Sequence, residues 1–516
     1  MHSWNMGYDT ETNYNFGYFS FLNPYQIRFN LIARGISFPE IGPDFNACEL
    51  GFGNGVSIVM HAANSPVNWY GNDFNPSQVS FAQLLAQMSH TKVHLSDDAF
   101  DQFLERDDLP MFDYICLHGI FSWISQENRA IIVKFIQRYL KIGGVLFISY
   151  NVGAGFGKVE PFRYLLQSYI NNCGDPALSH VANIPAALKF IDQLLELNPG
   201  HVQNAPWLIK NYQARIVNQE RNYVAHEFLN GHWFLDSNSV ISELFERAKL
   251  NFVGQACLSD DLDELNLSSQ EQEFLAQYQG SALYNSVYEY VTSQIFRRDL
   301  FVKGLRQLTF EQKLEQFDNT YFISVQSTKT QNLQFSTRLG NVPIDNKRIA
   351  SLVKFMSDYQ VHSFKEIRTA SSFKKVPLKQ LMEDVIYAQA TGVILVAANP
   401  NDIQQKHLDA AQEFNLALFN DKLGVNLPIL SSPILGGALV VEDMHKFLIS
   451  IVLKKPHASE TDLVCYIDTF LQETGNTFKI QDRIITDHDE RLNHLSYMVH
   501  DFMSFKLPLI RKLCCL

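Results

Sequence analysis

The sequence predicts an α/β chain. A doubly wound, mostly parallel sheet of seven strands carries a helical insertion and is followed by a separate C-terminal α+β domain. Three observations support this. From about 47 to 150, short apolar runs alternate with amphipathic stretches at helical spacing, the mark of a parallel sheet covered on both faces. A glycine-rich turn, Gly51-Phe52-Gly53-Asn54-Gly55, follows the first apolar run directly. The chain has 516 residues, which at about 150 per domain leaves room for roughly three domains.

The elements follow in order. Asn46 to Leu50 reads as the first strand and Asn54 to Ala63 as a helix. Asn68 to Asn72 is the second strand, and Pro76 to Met88 the second helix, with its proline in a tolerated first-turn position. Val93 to Leu95 and Phe112 to Leu117 are the third and fourth strands. Ile131, Ile132, Phe135, Ile136, Tyr139 and Leu140 then share one helical face, with Ser125 as cap and Gly143-Gly144 as stop. Val145 to Ser149 is a fully apolar fifth strand. Helical stretches broken by Pro161, Pro185 and Pro199-Gly200 make 158–215 an insertion. Segments 251–258 and 294–303 read as two further strands, so 216–304 completes the sheet begun in 1–157. Residues 305–516 lack the alternation. Helices at 349–357, 378–389 and 407–419 and strands at 392–398 and 447–453 are expected there, with a winged-helix-like module over the first of these. Its use would be substrate docking or dimerisation.

Composition narrows the function classes. Charged residues are 19%, below the ~25% usual for soluble domains, and aromatics reach 13% with 39 Phe and 21 Tyr, so a disordered chain is excluded. A net charge of −12 argues against a partner gripped through nucleic-acid phosphates. No basic, apolar leader opens the sequence, so cytoplasm is the expected compartment. The uncharged stretch Leu423 to Val441 holds Pro428, Pro433, Gly436 and Gly437 and reads as a buried loop with a short strand rather than a membrane span. The seven cysteines are scattered without zinc-ligand spacing, so no metal is expected.

The chemistry-bearing motif is Cys48-Glu49-Leu50-Gly51-Phe52-Gly53-Asn54-Gly55. Alternate glycines let the backbone turn tightly and approach a ligand closely. A dinucleotide site requires Gly-x-Gly-x-x-Gly, and Val56 breaks that pattern. Gly-x-Gly-x-Gly with an acid two residues earlier is the form used for S-adenosylmethionine (SAM), which has no phosphate to cradle. The next strand ends on Asp73, followed by Phe74, in position to accept both ribose hydroxyls. After the third strand, Asp98 and Ala99 stand where the adenine would be read. SAM is therefore the expected cofactor, with Glu49, Gly51, Gly53, Gly55, Asp73, Phe74, Asp98, Ala99 and His118 as its contacts. The loops holding His118 and Trp123, and Tyr150 and Asn151, close the same sheet edge. With Tyr14 and Tyr18 of the aromatic N-terminal arm they are the candidates for acceptor placement, since aromatic faces favour a sulfonium or ammonium.

These runs resemble a bacterial family of SAM-dependent methyltransferases that carry a methyltransferase regulatory domain. The likeness spans most of the first ~305 residues. It rests on Trp4-x-x-Gly7-Tyr8, Leu22-Asn23-Pro24, the glycine loop, Gly71-Asn72-Asp73-Phe74-Asn75-Pro76, Ser149-Tyr150-Asn151, Tyr223-Val224-Ala225-His226-Glu227-Phe228 and Phe296-Arg297-Arg298-Asp299. The resemblance implies a Rossmann-like SAM-dependent methyltransferase sheet and, because the family includes rickettsial protein-lysine methyltransferases, a lysine-bearing protein as acceptor. Two positions depart from the family. Phe52 stands where Cys is frequent, and Gly153-Ala154-Gly155-Phe156 replaces a Leu-Pro-Gly-Trp run beside the expected acceptor site. Two further readings stay open: a small-molecule methyltransferase, and a non-catalytic SAM-binding interaction protein. A homodimer is likewise open.

Overall fold

The computed structural model describes residues 16–326, 333–420, 425–475, 477–480 and 483–516. Its main sheet has seven strands: β1 (Asn46–Leu50), β2 (Asn68–Asn72), β3 (His94–Ser96), β4 (Phe112–Leu117), β5 (Leu140–Asn151), β6 (Leu250–Gln255) and β7 (Phe296–Lys303). Their spatial order is β3-β2-β1-β4-β5-β7-β6. The first five run parallel, and β7 pairs antiparallel with β5 and β6. The order reverses at β1, and a parallel sheet binds ligands outside the carboxyl ends of its strands at such a switch point.

Five helices flank this half: α1 (Pro24–Ala33), α2 (Val56–Ala63), α3 (Pro76–Met88), α4 (Phe100–Glu105) and α5 (Gln126–Tyr139). Asn23 and Asn75 cap α1 and α3, each accepting a backbone N–H ahead of a first-turn proline. Ser125 caps α5 by accepting from Asn128 N at 3.2 Å. α5 lays Ile132, Phe135, Ile136 and Tyr139 on the sheet, a burial that stabilises by roughly 1.5–3 kcal/mol per side chain.

Three expectations are corrected. Gly143-Gly144 does not end α5: the chain enters β5 at Leu140, which is fully buried opposite Phe112, and the glycines lie within the strand. The third strand sits one residue later than expected, at 94–96. The apolar run 447–453 is helical, inside Asp443–Lys454. Its buried side chains, Leu448, Ile449 and Val452, fall at i, i+1 and i+4, and Asp443 and Lys454 suit the two ends of the helix dipole.

Residues 153–235 form a helical layer around Phe156, Phe162, Leu166, Ile184, Tyr212 and Phe228, and Trp123 packs into the same cluster. In the C-terminal part, His362–Ser363 and Ile394–Ala397 flank the central strand Tyr321–Ser324. Of the uncharged stretch, the described part, 425–441, contributes a hairpin, Ile429–Ser432 with Gly437–Val440, which packs on α2. Among the described residues no helix is long and apolar enough to cross a membrane.

Candidate active site

The cleft opens where β1, β2 and β4 end. The three loop glycines all have positive φ, +68°, +58° and +71°, but for different reasons. A Cβ on Gly55 would sit 2.4 Å from Ala82 Cβ, so this glycine lets α2 and α3 approach each other. A Cβ on Gly51 would meet Ile120 at 2.9 Å. A Cβ on Gly53 meets nothing within 4 Å: Gly53 lines the cleft, and its missing side chain leaves room for a ligand against the backbone.

Two carboxylates face this loop. Asp73, 7% exposed, accepts Gly53 N at 2.9 Å through Oδ2 and Asn75 N at 3.0 Å through Oδ1. The Gln78 amide, oriented to satisfy the same group, donates to it at 2.8 Å. Glu49 is 3% exposed, and its Oε2 has no hydrogen-bond partner. Burial pushes Glu49 up to about 8, with the nearby Asp73 adding to the rise. Burial likewise pushes Asp73 up to about 7 against the lowering effect of its two backbone donors. No Lys or Arg is among the described residues lining the cleft, so none of these neutralises the pair.

A carboxyl whose folded pKa is raised contributes stability below its unfolded pKa and loses it as pH climbs through the folded value. Glu49→Gln removes that loss. The Tm of the variant should match wild type near pH 4 and exceed it by about 2 °C or more near pH 9. A constant difference across that range in scanning calorimetry would contradict the assignment.

The cleft is open to solvent and is bounded on its other sides by Gly17 and Phe19, by Ala99 and Phe100, and by residues of the 118–128 segment. His118 Nδ1 lies 2.9 Å from Ser149 Oγ, which also accepts Gly119 N at 2.8 Å. The imidazole meets the rings of Phe19 and Phe21 edge-on at 4.2 and 5.0 Å. Burial, helped by Arg298, lowers His118 to about 3, so the ring is neutral at physiological pH.

Of the residues expected from sequence, Glu49, Gly51, Gly53, Gly55, Asp73, Phe74, Ala99, His118 and Trp123 line the cleft together. Four described ones do not. Asp98 is drawn off by Arg106 Nη1 at 3.2 Å. Tyr150 lies one residue along β5 from Ser149 and so on the opposite face of the sheet, where its hydroxyl donates to Asp299 Oδ2 at 2.5 Å. Asn151 bonds Ser122 Oγ through its backbone and keeps a buried, unpartnered Nδ2. Tyr18 turns toward the C-terminal hairpin. Tyr14 lies outside the described residues. Phe19 lines the cleft as a member of the aromatic N-terminal arm, and Ser57, Gln78, Phe100, Ile124 and Asn128 line it without having been expected. The first-turn position of Ser57 in the helix after the glycine loop was a legible signal.

An uncharacterised protein of Synechocystis sp. is 31% identical over 514 residues, 99% of each chain. Residues 220–303 match the family described as a predicted methyltransferase regulatory domain. The chain belongs to one family with that Synechocystis protein, and its residues 220–303 carry the segment described as a predicted methyltransferase regulatory domain. An uncharacterised Rickettsia prowazekii protein is 26% identical over 223 residues, 41% of this chain and 37% of that one. In fold, the chain is similar to PKMT2 from Rickettsia typhi, solved in complex with AdoHcy (S-adenosylhomocysteine). The TM-score is 0.65 at 16% identity, over 96% of this chain and 99% of that one. The methyltransferase regulatory domain thus contributes β6 and β7, the strands that complete the sheet.

Proposed function

We propose that this protein binds SAM in the cleft and transfers its methyl group to the side-chain nitrogen of a protein lysine. One observation carries the cofactor reading: two buried carboxylates, uncompensated by any lining cation, flank a glycine whose missing Cβ leaves room for a ligand. Such a site suits a ligand with an ammonium, a sulfonium and a ribose diol, and repels one carrying phosphates. Asp73 accepts the ribose hydroxyls. Glu49 is the acidic counterpart to the amino-acid end, and Phe100 covers the adenine.

When bound, SAM supplies an electrophilic methyl that the acceptor nitrogen's lone pair takes in line as the carbon–sulfur bond breaks, leaving a thioether. The protein's part is orientation and exclusion of water. The acceptor amine must arrive uncharged. Phe19, Trp123 and Ile124 supply an apolar approach that disfavours its protonated form. His118, neutral and held beside Ser149, adds no competing positive charge. The lysine reading is also supported by the resemblance to the rickettsial protein-lysine methyltransferases.

Incubation of the pure protein with radiolabelled SAM and fractionated cell extract tests this. Label is expected in protein, at lysine. Label confined to the small-molecule fraction would replace the lysine reading with a metabolite acceptor. Binding without any AdoHcy formation would indicate a non-catalytic SAM binder. In the same assay Trp123→Ala should raise the KM for the methyl acceptor about tenfold while changing the Kd for AdoHcy less than threefold. Equal effects on both would move Trp123 to the cofactor side.

A further inference from the structure

The N-terminal wall of the cleft is fastened by the far end of the chain. Residues 16–19 run without regular secondary structure across the mouth of the site. Gly17 and Phe19 line the cleft, whereas Tyr18 between them does not. The Tyr18 hydroxyl accepts Ala438 N at 2.9 Å, a partner 420 residues away, and lies 3.1 Å from His61 Nε2 on α2. Phe19 N donates to Ser57 Oγ at 2.9 Å, which ties the same segment to the first turn of α2.

The hairpin is shaped to receive this tyrosine. A Cβ on Gly437 would lie 2.2 Å from the Tyr18 hydroxyl oxygen and 3.0 Å from His61 Cδ2. Asn23 Nδ2 donates to Leu435 O at 2.9 Å and to Gly436 O at 3.1 Å. Behind it, the hairpin is rigidly held. Ser431 N donates to Asn415 Oδ1 at 2.7 Å, Asn415 Nδ2 to Cys514 O at 2.7 Å, and Ser432 Oγ to Leu513 O at 2.6 Å. Asn64 Nδ2, just past the end of α2, donates to Ser431 Oγ at 2.9 Å.

We infer that the C-terminal hairpin is a positioning element for the cofactor cleft and that Tyr18 is the positioning residue through which it acts. This rests on the SAM reading of the cleft. Tyr18 touches no reactant: it fixes the register of the segment so that Phe19 faces inward against His118 and covers the bound cofactor. The C-terminal part therefore bears on methyl transfer without contributing a lining side chain, and damage to the hairpin is felt as loss of cofactor affinity.

Tyr18→Phe and Gly437→Ala break the same contact from its two ends. Each should weaken AdoHcy binding roughly tenfold, since each leaves a buried polar group unpaired. KM for SAM should rise to match, with kcat changed less than threefold. The double variant should be no worse than the weaker single, because the two share one contact. Leu463→Ala, in the C-terminal core but away from the hairpin contact, should lower Tm without changing AdoHcy affinity. That separates positioning from general destabilisation. Hydrogen exchange across 16–23 in the ligand-free protein reads the anchoring without any cofactor, and both variants should lose protection at the Phe19 amide. Unchanged exchange together with wild-type AdoHcy affinity would overturn the inference. Lost protection in a wild-type protein that binds no AdoHcy would instead overturn the SAM reading and leave the anchoring intact.

Discussion

Asp73→Ala is expected to weaken S-adenosylhomocysteine binding by more than about 100-fold. The carboxylate has two jobs at once. It presents charged acceptors to the cleft, and it pins the glycine loop through Gly53 N while bonding Asn75 N. Hydrogen bonds to a charged group contribute ~1.5–3 kcal/mol each, so losing two to the ribose costs at least about 3 kcal/mol, a little over 100-fold in Kd. The fold should survive, because burial already disfavours this charge. Asp73→Asn sorts the two jobs: one amide oxygen can still accept Gly53 N, but the negative charge is gone. Calorimetric titration of both variants checks this. An affinity within threefold of wild type for Asp73→Ala would place the cofactor elsewhere.

Arg297→Met should destabilise the protein by roughly 3–5 kcal/mol. Arg297 and Asp299 are 1% and 0% exposed on β7. The Arg297 Nε donates to both Asp299 oxygens at 2.9 and 3.1 Å, and its Nη1 lies 3.3 Å from Glu289 Oε1. Asp299 also accepts from Tyr150 and from Asn238 Nδ2 at 2.8 Å. Removing the guanidinium strands two buried carboxyls, both of which burial already pushes up from the ordinary range. Both can escape by taking a proton, so the loss should be largest above neutral pH and partly relieved near pH 5. Urea midpoints at pH 8 and pH 5 read this directly. A pH-independent loss would mean that the arginine acts through packing alone. The cluster lies within the segment matching the regulatory domain and joins β7 to β5. That segment therefore helps to hold β5, whose Ser149 supports His118 in the cleft.

The sheet half was legible in the sequence because short strand-forming runs alternate with amphipathic stretches and Gly, Asn or Pro marks several of the boundaries. β1, β2, β4 and α3 occupy the expected residues, and Glu49, the three glycines and Asp73 meet in one cleft. What could not be read was competition for a side chain. Arg106, eight residues on, claims the Asp98 carboxylate. Tyr150 follows from strand alternation, once Ser149 is known to face His118. Tyr18 answers to Ala438, whose approach depends on how the C-terminal part folds back onto α2, and no local pattern encodes that. The helix at 443–454 was hidden by its β-branched and aromatic run.

The paired acids and the glycine loop suit SAM and not a nucleotide phosphate. Parallel calorimetric titrations of the wild-type protein with S-adenosylhomocysteine and with NAD test this most directly. One equivalent of S-adenosylhomocysteine should bind per chain, while NAD gives no saturable heat. Tighter binding of NAD, or no heat with S-adenosylhomocysteine, would overturn the SAM assignment of the cleft.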